Sequence, residues 1–395
     1  MRRPLEGVRV LDLTWAQQGP YATVMLSDMG AEVIKVEPRE GELGRQVVAG
    51  IYPQPAPYFV AHDRGKRGVT LDIRKPEGRE VILRFAKEVD VIVHNMRPGV
   101  MEKLGLAYSD VRAVNAKIIY ASASAFGPLG DMSTLPGFDI IGQAVGGIMS
   151  KTGEEGSPAM PAGAAIGDQV GALYLCSGIL AGLVKVARTG EGEQVDISLY
   201  GAQIGLQAWE ITEQSIVGKD HGRAGLGHPI VSSLSLWSCF ATADGAIVLG
   251  GVDSDRFQGL CAVAELPELA EAYADEITRA LNISKVREVI SEKFRVHPTQ
   301  YWLDALRSVD VIVAPVQSYD DIINDPQAWV NGYMTTLDHP VHGKVKVVGS
   351  PIQFGRKPTE PQGPPPELGQ DTETCLLEFG YSWDEIEALR ADEVI

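Results

Sequence analysis

An aspartate at the start of a long apolar segment has the clearest potential for covalent chemistry in this chain. Asp168 follows Ile166 and Gly167 and precedes an uncharged, apolar run at 170–184. The run predicts a buried helix with Asp168 at its N-terminal end, where the helix dipole and free N–H groups stabilise a carboxylate. A carboxylate held ionised beside a dry, apolar region can act as a nucleophile. The alternative is a helix cap, because aspartate is a favoured N-cap residue in any helix.

Alternating strand and helix patterns predict the elements that position this aspartate. Residues 8–13 and 32–37 are typical of two strands around a helical segment at 21–29, which makes a βαβ opening. Further strand patterns at 89–94, 117–120 and 194–199 alternate with helical stretches. Alternation of this kind predicts a mostly parallel sheet covered by helices. We therefore expect an α/β fold with a Rossmann-like large domain.

Changes in composition divide the chain into two predicted domains. Residues 1–215 form the N-terminal part of the large domain, and a glycine-rich linker follows at 216–229. Residues 230–325 combine a few short strands with several helices, which predicts a smaller α+β domain. Residues 326–395 contain a second linker and a C-terminal part that ends in a helical pattern.

Composition narrows the classes of function. The 395-residue chain has a net charge of −17, which argues against a nucleic-acid-binding protein. Residues 1–103 contain 16 Lys and Arg against 14 Asp and Glu, whereas the remainder contains 19 against 38. An anionic ligand is therefore held most easily by the first quarter of the chain. The N-terminus has no apolar segment, and the run at 170–184 is short for a membrane span, so we expect a cytoplasmic protein without a membrane partner.

Several common cofactor and metal motifs are absent from the sequence. Glu37 ends the second predicted strand, where a dinucleotide-binding sheet carries a ribose-binding acid. However, the preceding turn, at 16–20, lacks the glycines that let such a turn approach a pyrophosphate. The four cysteines are widely spaced, and His339 and His342 are more typical of a turn than of a metal site. We therefore expect neither a metal nor a tightly bound cofactor.

Seven segments in order resemble the class III CoA-transferase family, which includes formyl-CoA and carnitine-CoA transferases. The resemblance covers nearly the whole chain and is weakest from about 230 to 330. It implies a CoA-transferase with an acyl-CoA donor and a small carboxylic acid acceptor. It also implies a homodimer of two interlocked chains, in which the C-terminal part returns to the large domain. The matching segments are 5–13 with 17–20, 30–37, 66–73, 94–99, 167–168, 189–192 and 365–369.

By this resemblance, Asp168 is the catalytic aspartate. Its carboxylate attacks the thioester carbonyl to give a mixed anhydride and CoA thiolate, and the thiolate then attacks the aspartyl carbonyl to give an aspartyl-CoA thioester. The acceptor acid takes CoA through a second anhydride. Gln17 matches a glutamine near the acyl carbonyl, and Tyr58 matches an active-site tyrosine. Phe138 and Asp139 stand where formyl-CoA transferases carry Tyr-Glu.

The resemblance also implies a set of CoA-binding residues and a loop that closes the site. Gln18 neighbours Gln17 on the CoA side, and Arg39 is adjacent to the position of a CoA-binding arginine. The cations among these residues would pair with phosphates. A run of glycines that closes the site in relatives corresponds here to Gly225, Gly227 and His228. The remaining CoA-binding residues are Leu71, Asp72, Ile73, Arg74, Asn95, Met96, Arg97, Lys103 and Phe138.

Two alternatives stay open beside the transferase interpretation. An α-methylacyl-CoA racemase-like epimerase shares the implied fold, but its proton transfer needs a histidine where this chain has Phe138. A non-catalytic acyl-CoA-binding protein would be expected to lack the nucleophile, whereas Asp168 is present. The acceptor also stays open among dicarboxylates, aromatic acids, and bile-acid-like or carnitine-like acids.

Overall fold

The computed structural model describes residues 3–46, 56–223 and 225–395. The chain divides into two compact units. The first combines Met1–Gly146, Ala164–Leu206 and Ile323–Ile395, and the second combines Gly147–Gly163 with Gln207–Ile322. Each unit is therefore built from segments that are distant in sequence.

A six-stranded sheet forms the centre of the first unit. Its strands are β1 (Arg9–Leu13), β2 (Glu32–Glu37), β3 (Arg67–Thr70), β4 (Val91–His94), β5 (Ile119–Ser124) and β6 (Glu193–Ser198). They lie in the order β3-β2-β1-β4-β5-β6, and every neighbouring pair is parallel. The predicted α/β fold with a parallel sheet is confirmed. The order reverses between β1 and β4, which is where open α/β sheets form a ligand-binding crevice.

The first unit contains helices of which several cover the two faces of this sheet. They are α1 (Gln18–Asp28), α2 (Leu43–Gln46), α3 (Pro57–Asp63), α4 (Pro76–Ala86), α5 (Val100–Lys103), α6 (Tyr108–Val114), α7 (Asp139–Val145), α9 (Ile166–Thr189), α10 (Leu199–Leu206), α18 (Pro326–Val330), α19 (Thr372–Glu378) and α20 (Trp383–Ala391). Strand residues alternate between two cores, with Val10 packing beside α1 and α9 and Leu11 beside α4, α19 and α20. Burial on both faces explains why the central strands β1 and β4 are mostly apolar.

The C-terminal segment of the chain packs against the edge of the sheet. Gly68 of β3 donates its N–H to Asp371 Oδ2 (2.8 Å), and the Asp371 N–H donates to the Gly68 carbonyl (2.8 Å). Before these contacts the chain forms two antiparallel pairs, β10 (Met334–His339) with β11 (Gly343–Val348) and β12 (Gln353–Phe354) with β13 (Lys357–Pro358).

Helix α9 carries Asp168 and begins two residues before it. The helix is longer than the predicted apolar run at 170–184 and, by length and composition alone, could cross a membrane. In the fold, Ala172, Leu175 and Ile179 pack into the core against the sheet. Core helices of soluble proteins meet the same length and composition criteria.

The second unit has its own core and a three-stranded antiparallel sheet. Phe257, Phe294 and Trp302 are central to this core. The strands are β7 (Ser238–Ala241), β8 (Ala246–Leu249) and β9 (Val313–Pro315). The helices are α8 (Ile148–Lys151), α11 (Ala208–Val217), α12 (Ser254–Val263), α13 (Pro267–Ala272), α14 (Glu276–Leu281), α15 (Ile283–Phe294) and α16 (Thr299–Arg307), and α17 (Tyr319–Asn324) leads back into the first unit.

Candidate active site

A cavity opens where the strand order reverses, at the carboxyl ends of β1, β4 and β5. All of its lining residues belong to the first unit. They come from the loop after β1, the loop after β4, the end of β5, the segment before α7 and the starts of α9 and α10. The cavity brings together six of the predicted site residues, which are Gln17, Gln18, Asn95, Arg97, Phe138 and Asp168.

The carboxyl group of Asp168 is available for chemistry. Among the residues that the structure describes, none donates a hydrogen bond to this side chain. Burial raises the pKa of Asp168 to about 7, and the negative charge of Asp139 adds to the rise. Burial therefore opposes the ionised state expected at the helix end, because removal from water disfavours the charged form of a carboxyl group.

Asp139, the first residue of α7, caps the N-terminus of α9. Its Oδ1 accepts hydrogen bonds from the N–H groups of Gly167 (2.7 Å) and Asp168 (3.1 Å), and its Oδ2 accepts one from Gln143 Nε2 (2.6 Å). A Cβ at Gly167 would lie 2.9 Å from Asp139 Oδ1, so a larger residue would disturb this contact. The capping alternative for Asp168 is therefore wrong, since Asp139 takes these N–H groups.

The loop between β1 and α1 is held by side chains from distant parts of the unit. Asn95 Oδ1 accepts a hydrogen bond from the Trp15 N–H (3.0 Å), and Asn95 Nδ2 donates to the Trp15 carbonyl (2.7 Å). Glu42 Oε2 accepts a hydrogen bond from the Ala16 N–H (2.9 Å). Ala16 has a φ of 63°, a left-handed conformation that is costly for any residue but glycine. The contacts of Glu42 and Asn95 therefore maintain a strained backbone next to Gln17.

A cluster of buried charged groups supports the same loop. Lys66 Nζ lies 2.9 Å from Asp12 Oδ2 and 2.7 Å from Asp63 Oδ1, and Lys35 Nζ lies 3.1 Å from Asp63 Oδ1. Lys35 also donates to the carbonyl of Thr14 (2.9 Å). Burial opposes ionisation of Asp12, yet Lys66 and Lys35 lower the pKa of its carboxyl well below the usual range. The cluster therefore stays charged at neutral pH and anchors the loop.

Tyr58 and Phe138 lie near the nucleophile in different ways. Burial, followed by the charge of Asp168, raises the pKa of Tyr58 well above its usual value, so the hydroxyl is neutral. Tyr58 is not one of the described residues that line the cavity. Phe138 does line the cavity and meets Trp15 edge to face, with ring centroids 6.3 Å apart. The two aromatic rings give the cavity an apolar wall.

A second cavity, of about 440 Å³, shares Trp15 with the first. Its lining includes residues 71–74 after β3 and Met96 after β4. These are parts of the two segments expected to hold the CoA nucleotide. The structure therefore places them side by side, next to the cavity of Asp168.

The predicted cationic residues are placed unequally. Arg97 lines the Asp168 cavity and has no ion-pair partner within the described ranges. Arg74 pairs with Asp72 at the surface (2.8 Å), and Arg39 lies 3.8 Å from Glu393 near the C-terminus. Lys103 ends α5 and is exposed, and the described lining of neither cavity includes it. Only Arg97 therefore faces the nucleophile's cavity.

Gly225, Gly227 and His228 belong to the second unit. His228 Nε2 lies 2.8 Å from Glu210 Oε1, and its ring stacks on Trp209 with centroids 4.9 Å apart. Gly225 has a φ of 59°. His228 is thus engaged by contacts inside its own unit.

Across the described residues, no group of three or more His, Cys, Asp or Glu side chains could hold a metal ion.

The parallel sheet, the crevice at its switch point and the free carboxyl group are features of an α/β enzyme. A sequence profile of CoA-transferase family III matches residues 5–372. The chain therefore belongs to CoA-transferase family III, as the resemblance implied.

Individual relatives agree with this assignment. The human succinyl-CoA:glutarate CoA-transferase is 33% identical over 380 residues, which cover 95% of this chain and 86% of the relative. The succinyl-CoA:mesaconate CoA-transferase of Haloarcula hispanica is 34% identical over 385 residues, covering 95% of this chain and 96% of the relative. A crystal structure of a CaiB/BaiF family protein from Brucella suis has a TM-score of 0.86 at 29% identity, covering 96% of this chain and 100% of that chain. These names do not favour the racemase alternative.

Proposed function

We propose that this CoA-transferase works through covalent intermediates on Asp168. The observation that carries the proposal is the state of the Asp168 carboxyl group. It lies at the switch-point cavity, has no hydrogen-bond partner in the described part of the chain, and titrates near neutral pH. A partly desolvated carboxylate with a raised pKa is a stronger nucleophile than one in water.

The proposed reaction needs neither an oxidant nor a net proton. An Asp168 carboxylate oxygen bonds to the thioester carbonyl carbon, the C–S bond breaks, and CoA leaves as the thiolate with the electron pair. The thiolate then bonds to Cγ of Asp168 and expels the donor acid as a carboxylate. The acceptor carboxylate attacks the aspartyl thioester and again releases the thiolate. In the last step the thiolate takes the acceptor's acyl carbon and restores the Asp168 carboxylate.

Three residues would assist at the reacting centre. Gln17 would donate its amide to the oxygen that becomes negative, a type of contact that typically contributes a factor of about 10² to 10³ in kcat. Tyr58, neutral at working pH, would supply a hydroxyl close to Asp168. Asp139 would position the nucleophile by holding the first turn of α9.

We propose that CoA occupies the second cavity with its thioester at the first. Residues 71–74 and Met96 would contact the nucleotide portion, and Arg97 would meet a phosphate or a substrate carboxylate. Asn95 would act through Trp15, since its amide is hydrogen-bonded to that residue's backbone. Arg39 and Lys103 would contribute only long-range attraction for the anionic ligand.

The acceptor we propose is a small dicarboxylic acid, with succinyl-CoA as donor. Both relatives described above carry succinyl-CoA and a dicarboxylate in their names. A panel of acceptors tests this, with glutarate, mesaconate, oxalate, benzoate and carnitine each offered with succinyl-CoA and with acetyl-CoA. We expect new CoA thioesters of the dicarboxylates, read by mass. Exclusive use of aromatic acids or carnitine would contradict the proposed acceptor class.

The covalent role of Asp168 is tested by trapping. Hydroxylamine added during turnover should convert the aspartyl thioester into a hydroxamate at position 168, visible in the mass of its peptide. Asp168→Asn should lose turnover and the adduct, whereas the exposed Asp131→Asn should keep both. Full turnover by Asp168→Asn would rule out this mechanism.

We also propose that two chains form an interlocked homodimer in the cytoplasm. One chain alone leaves large apolar side chains of α9 and α10 exposed, among them Leu173, Tyr174, Ile204 and Leu206. Large apolar side chains exposed on neighbouring helices are typical of a permanent interface.

A further inference from the structure

The side chain of Gln18 contains a buried amide nitrogen that lacks an acceptor. Gln18 is only 5% exposed, and its Nε2 has no hydrogen-bond partner among the residues that the structure describes. The side chain lines the same cavity as Asp168. A buried donor without an acceptor is unfavourable, so such groups usually meet a ligand or water. The observation indicates that an oxygen atom of the substrate completes this site.

Helix α9 contains the feature that makes room for this amide. Gly171 lies one turn after Asp168, and a Cβ built on it would be 2.2 Å from Gln18 Nε2 and 3.0 Å from Gln18 Cδ. Only glycine therefore allows the Gln18 amide to rest directly against α9. The approach places a neutral donor near the first turn of the helix that carries the nucleophile.

We propose that Gln18 is a catalytic residue and that Gly171 is the positioning residue that holds its amide in place. On this view, Nε2 of Gln18 donates a hydrogen bond to the acyl oxygen that becomes negative when Asp168 adds to the thioester carbonyl. The inference rests on the proposed function. It differs from the role implied by the resemblance, in which Gln18 is a CoA-binding residue that neighbours Gln17 on the CoA side.

Burial gives the Gln18 donor an advantage over Gln17. The side chain of Gln17 is half-buried, whereas Gln18 is almost completely removed from solvent. A hydrogen bond to a developing charge is stronger where water is excluded, and a fixed donor needs no reorganisation during the reaction. The two neighbouring amides would then form a pair of donors for one oxygen.

The test separates catalysis from CoA binding by the kinetic parameter that changes. Gln18→Met keeps the length of the side chain and removes the donor, and Gln18→Glu keeps its shape and removes the N–H₂ group. We expect each to lower kcat by about 100-fold or more, with KM for the CoA thioester within about threefold of wild type. A raised KM with unchanged kcat would assign Gln18 to CoA binding and overturn the proposal.

Gly171 provides a second, independent variant. Gly171→Ala should lower kcat by displacing the Gln18 amide, and in a Gln18→Met background the same change should add less than about twofold. Gly178→Ala, on the same helix, is the matched control. Its Cβ would meet a methyl group of Val195 at 2.6 Å and not the Gln18 amide. Additive losses from Gly171→Ala and Gln18→Met would contradict a shared action.

Failure of this inference can be told apart from failure of the proposed function. Asp168→Asn is measured in parallel with each variant. Full turnover by Asp168→Asn would reject the covalent mechanism itself. An inactive Asp168→Asn combined with a fully active Gln18→Met would reject only the role of Gln18. Thermal melting of every variant identifies any loss that comes from unfolding.

Discussion

The carboxyl group of Asp168 combines two demands that conflict in water. It must be unsolvated to attack, and it must be ionised to attack. Burial meets the first demand and raises the pKa to about 7, so the second is met only toward neutral and alkaline pH. We therefore expect the ionisation of Asp168 to determine how the reaction rate depends on pH.

The pH dependence of the first half-reaction follows from this pKa. Only the deprotonated form attacks the thioester, so kcat/KM for the donor should rise as pH increases from 6 to 8, with a midpoint near 7 in the free enzyme. Stopped-flow or steady-state rates across this range measure the midpoint. A profile that is flat from pH 5 to 8 would show that the nucleophile has an ordinary carboxyl pKa.

Asp139→Asn should shift that profile toward lower pH. The asparagine Oδ1 can still accept the hydrogen bonds from the N–H groups of Gly167 and Asp168, but the neighbouring negative charge is gone. Since that charge raises the pKa of Asp168, its removal lowers the pKa, and burial alone then sets the midpoint. The same rate measurement reports the shift. A midpoint displaced to higher pH would contradict the electrostatic assignment.

At the scale of elements, the loop between β1 and α1 depends on one buried carboxylate. Glu42→Ala removes the acceptor for the Ala16 N–H, whereas Glu42→Gln can keep it through the amide oxygen. We expect Glu42→Ala to destabilise the fold by about 1–3 kcal/mol, the cost of an unsatisfied buried donor, and to lower kcat about tenfold through Gln17. Glu42→Gln should be the milder change in both. Urea unfolding measures the stability of the two variants, and steady-state kinetics measure their kcat. Equal effects of Glu42→Ala and Glu42→Gln would show that the Ala16 contact is unimportant.

The sequence predicted the elements whose pattern is local. Residues 32–37, with apolar side chains at three of six positions, were predicted correctly as β2, and the helix after 170 was predicted correctly from its uninterrupted apolar run. Lys35 interrupts the apolar pattern of β2, as Asp12 interrupts that of β1, and both residues belong to the buried charge cluster. The structure places Asp168 in the first turn of α9, as predicted, but the cap of this helix was not predicted, because it comes from Asp139, 28 residues before Gly167.

The features that the sequence could not show depend on distant contacts. Asn95 reaches Trp15 across 80 residues of chain, and the direction of the Asp168 pKa shift depends on burial that only the folded chain defines. The unit that contains 207–322 also includes residues 147–163, a grouping that composition does not reveal. In the sequence, Gly171 is one of several glycines in an apolar run. Only the structure shows that the Gln18 amide packs against it.

At the scale of the whole molecule, the exposed face of α9 should determine the oligomeric state. Leu173 is 51% exposed on a helix that is otherwise built into the core. Leu173→Asp should therefore disrupt the proposed homodimer, because burying an unpaired charge at an apolar interface is costly. Light scattering after size exclusion measures the mass, and Leu281→Asp in the second unit is the exposed control. A monomeric, active wild-type protein would contradict the dimer.

The most direct test of the covalent mechanism follows an oxygen atom. In a single turnover with an acceptor acid labelled with ¹⁸O in its carboxyl groups, the anhydride route leaves one labelled oxygen on the Asp168 side chain. The anhydride route predicts a peptide containing position 168 that is heavier by about 2 Da, and label in the donor acid released by the next turnover. Formation of the product thioester with no label on Asp168 would show that the carboxyl group never forms an anhydride with the acceptor's acyl carbon.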